Sequence, residues 1–95
     1  MFTFGAEILP YHDFDFETAL RELRGLGFRH VNLWSSRVPL AHHINPGEDV
    51  GEIKQLLAKY EIIPTALTMY GKTQAEMKER IEFAAELGVP YVVFD

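Results

Sequence analysis

The chain has 95 residues and a mass of 10.9 kDa, enough for one domain that buries roughly two-thirds of the surface its unfolded form exposes. With 47% hydrophobic and 24% charged residues it has the composition of an ordinary globular protein, not of a disordered or fibrous one. Fourteen acidic against nine basic side chains give a net charge of −5, which opposes the counterion release that drives most nucleic-acid binding, and the absence of cysteine excludes disulfides, thiolate metal sites and a cysteine nucleophile.

A first strand, β1, is predicted over Phe2 to Ile8, followed by the loop Leu9-Pro10-Tyr11-His12-Asp13. The first helix, α1, lies near Phe16 to Leu26: Phe16, Leu20 and Leu23 recur at i, i+4 and i+7, while Arg21, Glu22 and Arg24 face outward. Gly27 then stands where a left-handed C-cap favours glycine. The turn Leu26-Gly27-Phe28 feeds β2, Val31 to Trp34. After the longest connection, Ser35 to Glu48, the helix α2 near Asp49 to Tyr60 is expected to bury Val50, Ile53, Leu57 and Tyr60, with Gly51 as a weak point.

Tyr60-Glu61-Ile62 leads into β3, Pro64 to Met69. The third helix, α3, opens on Thr73-Gln74-Ala75-Glu76, whose spacing fits a capping box, and carries Met77, Ile81 and Ala84 on one face before Gly88. Its charges Glu76, Lys78, Glu79, Arg80 and Glu82 read as a solvated face paired at i,i+3 and i,i+4. The last run, Tyr91-Val92-Val93-Phe94, reads as a buried parallel strand, β4, ending on Asp95, and its cover is expected from beyond the last residue. The start Met1-Phe2-Thr3-Phe4 lacks the basic and apolar regions of a signal peptide, and no stretch nears the ~20 apolar residues of a membrane span. A cytoplasmic location with no membrane partner is the expectation.

The order β1-α1-β2-α2-β3-α3-β4 makes one α/β domain over residues 1–95, without a linker or low-complexity tract. Parallel crossovers are right-handed, so strands lying in chain order place every helix on one face of the sheet and leave the other bare. Four such strands, curved, form a half-barrel: a partial (βα) TIM barrel, whose whole needs ~250 residues. The competing architecture is a doubly wound sheet of order 2-1-3-4, covered on both faces. Its nucleotide-binding form wants glycines after the first strand, and the loop from Leu9 to Asp13 has none. The half-barrel is the preferred reading.

Three passages resemble a known family. Gly27 to Trp34, Leu56 to Tyr60 and Arg80 to Val93 look like the xylose isomerase-like TIM barrels, which include sugar phosphate isomerases and epimerases and, more distantly, endonuclease IV. The resemblance extends over nearly all 95 residues but only over the N-terminal half of that barrel, and it rests largely on packing residues. It implies an enzyme in which a divalent metal (Mn, Mg, Zn or Co) polarises a sugar carbonyl while a glutamate removes the neighbouring proton. The main ligands of the isomerase branch come from strands five to eight, so no metal is expected to be held by this chain alone. Two departures matter: Asn32 stands where the family often has glutamate, and Thr68-Met69-Tyr70 and Phe94-Asp95 stand where the endonuclease branch has metal-binding histidines.

The working face of such barrels is at the C-terminal strand ends. Glu7, a carboxylate in an apolar strand, is the candidate acid or base, its pKa raised if buried; the alternative is a paired strand-end group. Asn32 and Trp34 share strand parity and point together to the barrel interior, one to hydrogen-bond a sugar hydroxyl and the other to stack on the ring, unless Trp34 only fills core volume. His12, Tyr70 and Asp95 are further substrate-binding candidates by position. Adjacent His42 and His43 cannot readily share one ion and read as a solvated loop pair, and His30 lies at the stability end of its strand.

The expectation is therefore part of a sugar or sugar phosphate isomerase or epimerase, acting by metal-assisted proton transfer next to a carbonyl and inactive alone. Its partner would be the missing C-terminal half-barrel. The alternatives are a half-barrel that associates with a copy of itself as a binding or assembly module, and an endonuclease IV-like phosphodiesterase, which the acidic balance disfavours.

Overall fold

Among the described residues, seven elements alternate: β1 (Gly5–Glu7), α1 (Phe16–Gly25), β2 (His30–Ser35), α2 (Val50–Lys59), β3 (Ile63–Met69), α3 (Gln74–Leu87) and β4 (Val92–Phe94). The computed structural model describes residues 5–8, 14–35, 44–69 and 73–94, with the Glu7 side chain outside that set.

Each helix begins where a short polar side chain can satisfy an orphan backbone donor. Asp15 accepts from the Thr18 N–H at 2.8 Å, Asp49 from that of Glu52 at 3.1 Å, and Thr73 Oγ1 from that of Glu76 at 3.2 Å. Gly88 closes α3 at φ +76°, and Gly27 follows α1 at φ +94°, a backbone setting that costs an L side chain about 1–2 kcal/mol. After α2 the same task falls to Glu61, at φ +54°. Its carboxylate is held by Arg29 at 2.7 Å and Arg24 at 3.1 Å, contacts that fasten the turn to the end of α1 and the start of β2.

These arginines, Arg29 first, hold the Glu61 carboxyl below its usual range. Glu17 is lowered by Lys59 and then Tyr60, and Asp15 by Thr18. A carboxyl lowered on folding adds stability above its unfolded pKa and loses it as pH falls through the folded value. Thermal melts should therefore show a plateau above the ordinary glutamate value of 4.5 and a decline below it. Glu61→Gln should flatten part of that decline, and added salt should weaken it because these pairs are exposed.

All four strands are parallel and lie in the order β1-β2-β3-β4. This order rules out the 2-1-3-4 arrangement. Val31, Leu33 and Ser35 of β2 and Leu67 and Met69 of β3 have no exposed surface; they face the helices, and α2 and α3 both pack against β3. The opposite face is far more open: Ile63, beside His30, is 50% exposed, and Val93, beside Thr68, is 46% exposed. β4 is thus less buried than its sequence suggests. The radius of gyration, 12.5 Å, is close to the roughly 12.4 Å expected of a compactly folded chain of this length.

In β3 the pairing with β2 slips by one residue. Val31 lies opposite Pro64 and Asn32 opposite Ala66, so Thr65 is extra. Pro64 has no N–H to give to the ladder, and prolines in inner strands sit at such bulges. Below the bulge, odd-numbered Ile63 lies on the open face; above it, odd-numbered Leu67 and Met69 lie under the helices.

The packing of α3 corrects two expectations. Its buried residues are Arg80, Phe83, Ala84 and Leu87, an i, i+3, i+4, i+7 stripe, while Ile81 is exposed. Arg80, expected on a solvated face, is only 4% exposed. Its long stem fills the first core position of the stripe and a serine on β2 receives its head.

Candidate functional site

Asn32 and Trp34 do share a face of β2, the one turned away from the helices, as alternation along a strand requires. Trp34 pairs in register with Thr68 of β3, and the Thr68 hydroxyl reaches diagonally to Asn32. Asn32 Nδ2 donates to Thr68 Oγ1 at 2.9 Å, and the hydroxyl donates in turn to Asn32 Oδ1, 3.2 Å away. Asn32 is half-buried and Thr68 is 5% exposed. Trp34, 8% exposed, belongs to the hydrophobic core cluster, so it fills core volume while standing beside this polar pair.

Three side chains on the C-terminal halves of two neighbouring strands therefore converge. An amide and a hydroxyl offer both donors and acceptors at one point, beside a tryptophan on the same face. That combination suits a polyhydroxylated ring, whose hydroxyls need both kinds of partner and whose C–H faces pack on aromatic carbon. Thr68 opens the stretch Thr68 to Lys72 that strand-end position selects, but its pairing with Asn32 is not visible in the sequence. The signal for it was its parity relative to Asn32, which the unanticipated bulge had scrambled.

The tip of β2 is fastened from the helix side. The Trp34 carbonyl accepts from the Ile44 N–H at 3.1 Å, and Ser35 Oγ donates to Asn45 Oδ1 at 2.9 Å. Arg80 Nε donates to Ser35 Oγ at 3.2 Å, and Glu48 accepts from the Asn45 N–H.

Of the other candidates, the Glu7 backbone pairs with Asn32 in register, which places it on the same wall, but its side chain lies outside the described residues. So do His12, Tyr70 and Asp95, as well as His42 and His43. His30 is at the N-terminal end of β2, away from the Asn32–Thr68 pair.

Among the described residues, the side chains at this point do not fit a divalent ion. Hard cations favour several convergent carboxylates, whereas Asn32 and Thr68 are neutral and a Trp34 carbon face coordinates nothing. Glu48, Glu79, Glu82 and Glu86 rim a shallow groove beside α3, yet no group of three or more acidic, histidine or cysteine side chains among the described residues is placed to hold a metal. No described helix is long and apolar enough to cross a membrane. No family model matches the chain, and no curated protein matches it significantly.

Proposed function

We propose that this chain forms half of an eight-stranded (βα) barrel of the sugar isomerase or epimerase type and supplies the wall that binds and orients a sugar or sugar phosphate. The observation that carries the proposal is the Asn32–Thr68 pair beside Trp34, on the helix-free face of a sequentially ordered parallel sheet. In a closed barrel that face lines the interior, and its C-terminal half is where ligands bind. Asn32 and Thr68 would accept hydrogen bonds from vicinal hydroxyls and donate to them, and Trp34 would stack on the ring. Glu7, whose backbone pairs with Asn32 in register, would serve as the acid or base beside the carbonyl, while the metal and its main ligands would come from the other half of the barrel, so the chain by itself is proposed to bind without turnover.

The single tryptophan provides the test. Titration with D-fructose, D-xylulose and their phosphates should change Trp34 emission saturably. Asn32→Leu should weaken that binding about 10-fold, the equivalent of one hydrogen bond at ~1.4 kcal/mol. Emission that stays flat with every sugar, or an Asn32→Leu variant that binds as well as wild type, would remove the basis for this reading.

A second reading is supported by a separate observation. Ile63 and Val93 put apolar surface on the open face, and such a face with unpaired strand edges invites association. In this reading the chain is a half-barrel assembly module whose partner is a second copy of itself.

A further inference from the structure

Arg80 is buried, yet among the described residues no carboxylate lies within ion-pair distance of it; the ion pairs present there involve Arg24, Arg29 and Lys59. A buried cation whose described partner is a neutral hydroxyl gains little stability from that contact, since an apolar side chain of similar volume is often as stable or more so. Its described hydrogen bond goes to the hydroxyl of Ser35, 45 positions earlier in the chain.

The direction of that bond carries the argument. Arginine only donates, so Ser35 Oγ must accept from Arg80, and the hydroxyl proton is then directed to Asn45 Oδ1 at 2.9 Å. One residue earlier, the Trp34 carbonyl accepts from Ile44. The chain thus leaves β2 at Trp34–Ser35 and returns at Ile44–Asn45 through two short contacts, one of them oriented by a guanidinium reaching up from α3. Side chains on a helix lean toward its N-terminus. In a parallel α/β unit that end of α3 lies near the strand tips, where Ser35 ends β2.

We infer that Arg80 is a positioning residue for the proposed sugar-binding wall: acting through Ser35, it fixes the tip of β2 and with it the setting of Trp34. The inference rests on the sugar-binding reading for its functional meaning, but the placement of Trp34 can be measured without any sugar.

The experiment compares wild type with Arg80→Met, Arg80→Lys and Ser35→Ala, measuring thermal stability, Trp34 emission, acrylamide quenching and sugar titration. Arg80→Met should melt at or above the wild-type temperature, while Trp34 emission shifts to the red, acrylamide quenching rises at least twofold and sugar affinity falls about tenfold. Arg80→Lys, which can still donate to Ser35, should recover most of the wild-type emission. Ser35→Ala should reproduce the emission and quenching changes of Arg80→Met but melt below wild type, because it leaves the buried guanidinium without its acceptor, and it decides the matter if Arg80→Met does not fold. Unchanged Trp34 emission and quenching in Ser35→Ala and in a folded Arg80→Met would overturn the inference. A wild type that binds no sugar would instead count against the proposed function, with the emission and quenching comparisons still deciding the role of Arg80.

Discussion

Replacing Leu33 by alanine is expected to lower the stability of this chain by about 3 kcal/mol, the largest loss among simple truncations considered for it. Leu33 has no exposed surface, sits in the middle of an inner strand with β1 on one side and β3 on the other, and pairs with the equally buried Leu67. Truncation removes three carbons from a spot where the sheet and helices cannot close the gap, so a cavity term adds to the lost transfer energy. For a domain of 95 residues, whose total stability is roughly 5–14 kcal/mol, that is a large share. Urea unfolding followed by far-UV circular dichroism should show the midpoint falling by about 2–3 M, since m is of order 1 kcal/mol/M for a chain this small. Ile63→Ala is the internal control. Ile63 is aliphatic and lies in the neighbouring strand, but half of it is exposed, so its loss should cost under about 1 kcal/mol. Equal costs at the two positions would mean that the two faces of the sheet have been assigned wrongly.

The second large effect concerns association. If a second copy closes the open face, sedimentation velocity at tens of micromolar protein should give one discrete dimer, and Val93→Lys should return it to monomer. The geometry is that of a two-fold pair, in which β4 of each copy lies along β1 of the other and four strands from each complete a ring of eight. Val93 is on the face that would be enclosed, on the edge strand that would be joined, and an ammonium there would be desolvated without a partner. Each copy carries −5, so the dimer should tighten with added salt as mutual repulsion is screened. A monomer at all concentrations, with the same melting behaviour in wild type and Val93→Lys, would eliminate this reading and leave the sugar-binding wall untouched.

Much of the architecture could be read from local chemistry. Asp15, Asp49 and Thr73 cap helices because each places an oxygen against a backbone donor three residues on, and Gly88 ends one because its φ is positive. The alternation that put Asn32 and Trp34 together follows from pleating alone. What could not be read depended on distant partners. Arg80 looks like one more charge in a polar run until Ser35, 45 residues away, comes to meet it. Ile81 looks like core because it is isoleucine, but its angular position around α3 puts it outside the stripe formed by Arg80, Phe83, Ala84 and Leu87. Glu61 gives no hint of its left-handed backbone, since glycine is the usual occupant, and only the two arginines that hold it show how it is accommodated. Thr68 was hidden for a related reason: strict counting along β3 assigns it to the helix side.

The parity of β3 is set by one residue. Thr65 acts as a parity switch: it lets a strand that begins with isoleucine toward the open side finish with leucine and methionine toward the helices and with a hydroxyl toward Asn32. Without it, the hydroxyl that meets Asn32 would be pressed into oil, and two of the greasiest side chains of the core would line the helix-free face. The chemistry of this surface is thus set less by which residues β3 contains than by how many lie between its proline and its threonine.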